Sequence, residues 1–137
     1  MIVIDTNVLS QPMRANGEQR VIDWLRDNFE HVAIPVLALA EIVYGIELIE
    51  DYDRRIQLVN ALATIRQRFE DRFVPFDIAA AEAHGWLQAR MKRQGGRLPE
   101  IDSQIAAIAI SRNAKVATRN VRDFSRTGLE LINPWAA

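Results

Sequence analysis

Two hydrophobic rhythms run along this chain, and each change from one to the other marks an element. Ile2-Val3-Ile4 is a β-branched run with no polar break, the pattern of a short strand buried on both faces. From Asn16 to Glu30 the apolar positions Val21, Ile22, Trp24, Leu25 and Phe29 recur at helical spacing, which predicts an amphipathic helix. Val32-Ala33-Ile34 reads as a second strand, and Pro35 marks the turn into a helix from Val36 to Ile49. That helix is apolar almost all round, so burial is expected for it. The next helix, Asp53 to Phe69, is charged on one face and carries Ile56, Val59, Leu62 and Ile65 on the other. Phe73-Val74-Pro75-Phe76 follows as a third strand, then a helix from Ile78 to Arg93 that stops at Gly95-Gly96. A helix begins at Asp102 and runs through Ser111. Lys115-Val116-Ala117-Thr118 is a fourth strand, and Leu129-Glu130-Leu131-Ile132 a fifth, closed by Asn133-Pro134-Trp135.

Strands alternating with helices imply right-handed crossovers onto a mainly parallel sheet covered on both faces, an α/β sandwich of three layers. At 137 residues, without repeats, linkers or low-complexity tracts, the chain is expected to be one domain spanning 1–137. In such sheets ligands bind beyond the carboxyl ends of the strands, where the strand order reverses.

Composition narrows the classes. Hydrophobic residues make up 49% of the chain, which excludes a disordered protein. The absence of cysteine excludes a disulfide framework and a thiolate zinc site, and suits a reducing cytoplasm. The apolar N-terminal run is broken at once by Asp5, so no signal peptide is expected, and no stretch reaches transmembrane length. A net charge of -1 argues against a generally sticky nucleic-acid binder. All but two of the 17 cationic residues are arginine, however, the side chain that forks onto phosphate oxygens. A local patch for RNA and a set of solvated helix faces are both compatible with that bias.

Four carboxylates carry the candidate chemistry. Asp5 closes the first strand in Ile4-Asp5-Thr6-Asn7, Glu41 lies in the apolar Val36–Ile49 helix, Asp102 opens a helix, and Asp123 lies just beyond the fourth strand. A carboxylate in apolar surroundings must be paired, protonated or metal-bound. Four that converge, with no cysteine and few histidines near, suit a hard cation such as Mg²⁺ or Mn²⁺ and phosphodiester hydrolysis. Each also has a structural reading. Asp5 or Thr6 could cap a helix, as could Asp102, and Glu41 could pair with a buried arginine. Asn120 with Asp123 resembles a capping box. Gly45, one turn after Glu41, either leaves room for a ligand or lets another helix approach.

Other chemistries are disfavoured. The serines lack a nucleophile-elbow setting, no phosphate-cradling loop follows a strand, and His31 and His84 lack partners at ligand spacing. They read as surface or packing residues, and Trp24, Trp86 and Trp135 as core or interface. The densest basic cluster, Arg90, Lys92, Arg93 and Arg97, precedes Asp102 and is a candidate for holding an RNA backbone, or a solvated helix end.

Four motifs in this order and spacing, Asp5-Thr6-Asn7, Ala40-Glu41-Ile42-Val43-Tyr44-Gly45-Ile46, Asp102-Ser103-Gln104-Ile105-Ala106-Ala107 and Thr118-Arg119-Asn120-Val121-Arg122-Asp123-Phe124, make the chain similar to the PIN-domain ribonucleases. Within them it resembles the VapC-like toxins of type II toxin–antitoxin pairs, over essentially its whole length. The resemblance implies a PIN-like α/β/α fold with a short parallel sheet and Mg²⁺- or Mn²⁺-dependent cleavage of RNA. It maps Asp5, Glu41, Asp102 and Asp123 onto the family's acidic quartet, with Thr6, Asn7, Thr118 and Asn120 as supporting polar groups. It further implies a cognate antitoxin whose segment covers the pocket, a homodimer, and DNA contact only through the antitoxin. Ile34-Pro35-Val36-Leu37 departs from relatives that carry a threonine or serine there. An alternative is a binding module without catalysis, one half of an operator-DNA complex. An Asp-nucleophile phosphatase is disfavoured because position 7 is Asn.

Overall fold

The structure is a computed structural model that describes residues 1–136. Five short strands, β1 (Ile2–Ile4), β2 (Val32–Pro35), β3 (Phe73–Val74), β4 (Lys115–Ala117) and β5 (Leu131–Ile132), lie in the order β3-β2-β1-β4-β5. Every neighbouring pair is parallel, with Ile2 opposite both Val32 and Lys115. The expected three-layer α/β/α arrangement with a short parallel sheet is present. Seven helices connect the strands: α1 (Thr6–Ser10), α2 (Gln19–Asp27), α3 (Val36–Glu47), α4 (Tyr52–Arg68), α5 (Ile78–Arg93), α6 (Glu100–Ser111) and α7 (Val121–Phe124).

Strand alternation divides the core in two. Ile2, Ile4, Val32 and Ile34 point to one face, where Val21, Leu25, Ile42, Ile46 and Ile65 of α2, α3 and α4 cover them. Val3, Ala33 and Val116 point to the other, under Leu87 and Met91 of α5 and Ile105 and Ile108 of α6. A side-chain period of two makes such three-residue strands sufficient, because each contributes to both layers. Burying each of these branched side chains contributes roughly 1.5–3 kcal/mol, so the central strands are anchored from both sides. The order of the strands then fixes where a site can form. The chain runs outward from β1 to β3 and returns to the other flank of β1 at β4, so the reversal falls between β1 and β4.

Several boundaries differ from the sequence reading. The helix expected over Asn16–Glu30 is the shorter α2, followed by a 3-10 turn at Phe29–His31. The five-residue α1 has too few turns to show a period. The third strand ends at Val74 because Pro75 cannot continue the ladder, and β5 is only Leu131–Ile132. Asp102 does not begin its helix: Pro99 is the N-cap and Asp102 lies in the first turn of α6.

The largest correction concerns α3, which is not buried all round. Ala38, Ile42 and Ile46 face the core, whereas Tyr44 and Leu48 are 68% and 63% exposed. Glu41 is consequently half-buried, and its desolvation is smaller than an all-apolar helix implied. Ile56 and Val59 of α4, expected on its buried face, are exposed too, while Leu62 and Ile65 pack inward.

Candidate active site

Asp5 is the residue around which the site is built. It leaves β1 at the reversal point, its amide donating to the Ala117 carbonyl of β4 at 2.9 Å. It caps α1, where Oδ1 accepts from the Thr6 amide at 2.6 Å. Oδ2 accepts from the hydroxyl of Thr118, the fully buried residue that follows β4, at 2.8 Å. The Thr118 hydroxyl in turn accepts from the Asn120 amide at 3.0 Å. The capping role and the site role of Asp5 are therefore the same geometry, not alternatives. Burial pushes the Asp5 carboxyl above its ordinary range, opposed by the Thr118 and Thr6 hydrogen bonds and reinforced by the charge of Glu41.

Glu41 reaches the same place from α3, where Oε1 accepts from the Thr6 hydroxyl at 2.5 Å. Thr6 thus ties Asp5 and Glu41 together, one through its amide and one through its side chain. The arginine partner considered for Glu41 does not exist among the described residues. Asp102 enters from the first turn of α6. Burial first, then the charges of Asp5, Glu41 and Asp123, push its carboxyl up to about 6. The turn that carries it is pinned from behind. Ser103 is buried and donates to the Glu100 carbonyl at 2.6 Å, so its oxygen is left to accept from His84 Nε2 of α5 at 2.9 Å. His84, with Phe76 against its ring edge, is a packing residue as expected.

Asp5, Glu41 and Asp102 line one cavity of ≈ 440 Å³ together with Thr6, Asn7 and Asn120. Glu100 lines it as well, and sequence reasoning missed it; the only signal was its place one position ahead of Ile101-Asp102, on the same incoming turn. Asp123 is not on this wall. It is exposed on α7 and lines a neighbouring cavity, although its charge is felt by Asp102. Asn120 precedes α7 without a side-chain capping bond, so the capping box is absent.

Among the described residues no cation forms an ion pair with any of the four carboxylates. Such a set must hold protons or attract a cation. Its all-oxygen donor chemistry fits Mg²⁺ or Mn²⁺. Among the described residues, however, no three acidic or imidazole groups converge tightly enough to enclose an ion on their own. Both oxygens of Asp5 and one of Glu41 already accept hydrogen bonds. The residues present would therefore suit an ion that keeps part of its water, as Mg²⁺ commonly does.

The basic cluster is dispersed. Arg90 is engaged structurally, donating through Nη2 to the Arg126 carbonyl at 2.8 Å and lying over the Trp86 ring at 4.9 Å. Lys92 and Arg97 border a groove that reaches Pro99 and Glu100, and Arg93 is exposed on the last turn of α5.

Comparison with known proteins agrees with this fold. The family model described as "PIN domain" matches residues 2–129. VapC ribonuclease Y4jK of Sinorhizobium fredii is 32% identical, the alignment covering 98% of each chain. Toxin FitB of Neisseria gonorrhoeae is 31% identical over 98% of this chain and 99% of its own. The crystal structure of FitAcB from that organism superposes with a TM-score of 0.92 at 31% identity, covering all of both chains. A DNA-bound VapBC from Salmonella typhimurium gives a TM-score of 0.82 at 26% identity, covering 97% of both.

Proposed function

The chain belongs to the PIN-domain family, among its VapC- and FitB-like members, and from that premise we propose that it is a metal-dependent endoribonuclease, the toxin of a type II toxin–antitoxin pair. The observation that carries this reading is the convergence of Asp5, Glu41 and Asp102, from three separate elements, on one cavity with no cation paired to them among the described residues. A purely structural acidic cluster would be expected to have arginine partners, and this chain has arginine in excess.

Asp5, Glu41 and Asp102 are the residues that hold Mg²⁺ or Mn²⁺, with Asp123 acting from a greater distance. When bound, the ion supplies a water of lowered pKa and offsets the charge of the phosphate. The chain's own residues do the rest. Thr118 and the Thr6 amide fix the Asp5 carboxylate in one orientation, and the Thr6 hydroxyl does the same for Glu41. Such outer partners typically change metal affinity by about 10- to 100-fold when lost. Asn7 and Asn120 present amides to the cavity, where they can donate to phosphate oxygens or orient water. RNA is the substrate, and the reaction is hydrolysis of its phosphodiester bonds in the cytoplasm. A cognate antitoxin neutralises the protein, any DNA contact passes through that partner, and the toxin pairs with a second copy of itself. Among the described residues no helix is long and apolar enough to cross a membrane. With every acid of the set present, a non-catalytic role in an operator complex is not favoured.

The test is incubation of purified total RNA with the antitoxin-free protein in Mg²⁺, Mn²⁺ or EDTA, beside the Asp5→Asn and Asp102→Asn variants. Discrete fragments that need metal, and a loss of at least about 100-fold in rate in either folded variant, are expected. Wild-type cleavage by a variant, or cleavage undiminished in EDTA, would overturn the assignment.

A further inference from the structure

Next to the acidic pocket lies a cavity of opposite character. It measures ≈ 400 Å³ and is lined by Arg97, Arg122 and Arg126, with Ser125, one carboxylate (Asp123) and the backbone at Gly96. None of the three guanidinium groups forms an ion pair or a side-chain hydrogen bond among the described residues. Three arginines elsewhere do form ion pairs, Arg26 with Asp23 and Asp27, Arg72 with Glu30, and Arg112 with Asp77. Three unpaired cations facing one concavity repel one another unless an anion is brought to them.

The cavity is also built. Gly95, at φ +70, ends α5, and the Gly96 amide returns to the Met91 carbonyl at 2.9 Å, closing a Schellman turn. The side chain of Arg126 lies across Gly96, where any Cβ would fall 2.6 Å from Nη1. Arg90, braced on Trp86, holds the Arg126 backbone through its carbonyl. Two separate segments, the turn that carries Arg97 and the run from Arg122 to Arg126, thus meet with their guanidinium groups around one cavity. From Gly96 and Arg97 a groove of ≈ 690 Å³ continues to Pro99 and Glu100, which border the acidic pocket. The cations and the carboxylates therefore share one track on the surface.

We propose that the Arg97, Arg122 and Arg126 cavity is a subsite for a backbone phosphate of the RNA strand, flanking the phosphodiester at the acidic pocket. The proposal rests on the ribonuclease reading and deepens it. An acidic pocket on a chain of net charge -1 repels a polyanion, so affinity must come from cations placed beside the pocket rather than in it. Guanidinium groups suit that role because they fork onto phosphate oxygens without reading a base. The subsite therefore sets position and affinity, not sequence.

The experiment measures binding separately from cleavage. A labelled single-stranded RNA oligonucleotide is titrated in Mg²⁺ with folded Asp5→Asn protein, then with the same protein carrying Arg122→Ala and Arg126→Ala. Binding weaker by about tenfold is expected, with the salt slope shallower by about 0.7 for the one lost phosphate contact. Lysine at both positions is expected to recover most of the slope. In the Asp5-containing enzyme Arg126→Ala should raise KM and leave kcat unchanged, and Gly96→Ala, which displaces Arg126, should do the same. Unchanged affinity and slope in the double variant would overturn the subsite even if the enzyme cuts RNA. So would a loss confined to binding of a protein partner, or no RNA binding by the parental variant. Binding through these arginines by a protein that never cuts would overturn only the nuclease reading.

Discussion

Asp102 shows how one residue can record the absence of its counter-charge. Its carboxyl is pushed up to about 6 by burial and by three neighbouring acids, whereas in the unfolded chain it titrates near 3.8. Between those values the folded, metal-free protein holds a proton that the unfolded chain has released. Stability from this group is thus fully present below about pH 4 and is lost as pH rises through about 6. Because the group is only half-buried, the loss after solvent screening is on the order of 1 kcal/mol. Asp102→Asn should accordingly raise the Tm of the metal-free protein at pH 7.5 and flatten its dependence on pH between 4 and 6. Mg²⁺ should stabilise the native protein more at pH 7.5 than at pH 5, and Asp102→Asn should gain less from it. Thermal melts in EDTA and in Mg²⁺ across that range decide the matter; a variant less stable than the parent at pH 7.5 without metal would mean that Asp102 is satisfied by something other than a cation.

At the scale of elements, the sequence was most legible where helical period and chain-stopping residues coincide. α5 runs from Ile78 to Arg93 as expected because Asp77 caps it, accepting from the Ala80 amide at 2.9 Å, and Gly95 ends it. Alanine at 95 would have to adopt φ +70, so Gly95→Ala should cost about 1 kcal/mol, seen as a lower midpoint of urea unfolding. An unchanged midpoint would show that the turn relaxes without harm. Legibility failed where an element is too short for a period, as in α1, or where the pattern gives hydrophobicity but not direction, as in α3. Val36, Val43 and Leu48 read as core and are exposed, because nothing in a single sequence distinguishes an apolar face turned inward from one kept for a partner. The candidate site followed the same division. Asp5 sits at an element start that turn chemistry announces, Asp102 lies in a first helical turn, and Glu41 stood out as a lone acid in an apolar helix. Asp123, just beyond the fourth strand, is expected on the same rim, but the path of the chain after β4 puts it on the wall of the cationic cavity. The ties made by Thr6 and Thr118 span 35 and 113 residues, so sequence proximity could not pair them with Glu41 and Asp5.

Taken whole, the molecule has chemistry on one rim and unspent apolar surface on two successive helices. On α4, Tyr52, Ile56 and Val59 are exposed at the spacing of a single helical face, following Val43, Tyr44 and Leu48 on α3. Singly exposed apolar residues are ordinary; a series at helical spacing marks an interaction surface. Specific interfaces are anchored by a few large, well-packed side chains near their centre, and tyrosine is enriched among them. These helices are therefore where the proposed pairing of two copies should occur. The purified chain should sediment as a dimer, and Tyr44→Lys with Leu48→Lys should shift it to a monomer. Helical content should be unchanged, because neither side chain contributes to the core. Cleavage of RNA per chain should survive the change, since Asp5, Glu41, Asp102 and the cationic cavity all come from one copy. A mass that stays dimeric in the double variant would move the pairing surface off α3, and cleavage lost together with the dimer would mean that the pocket is completed by the second copy.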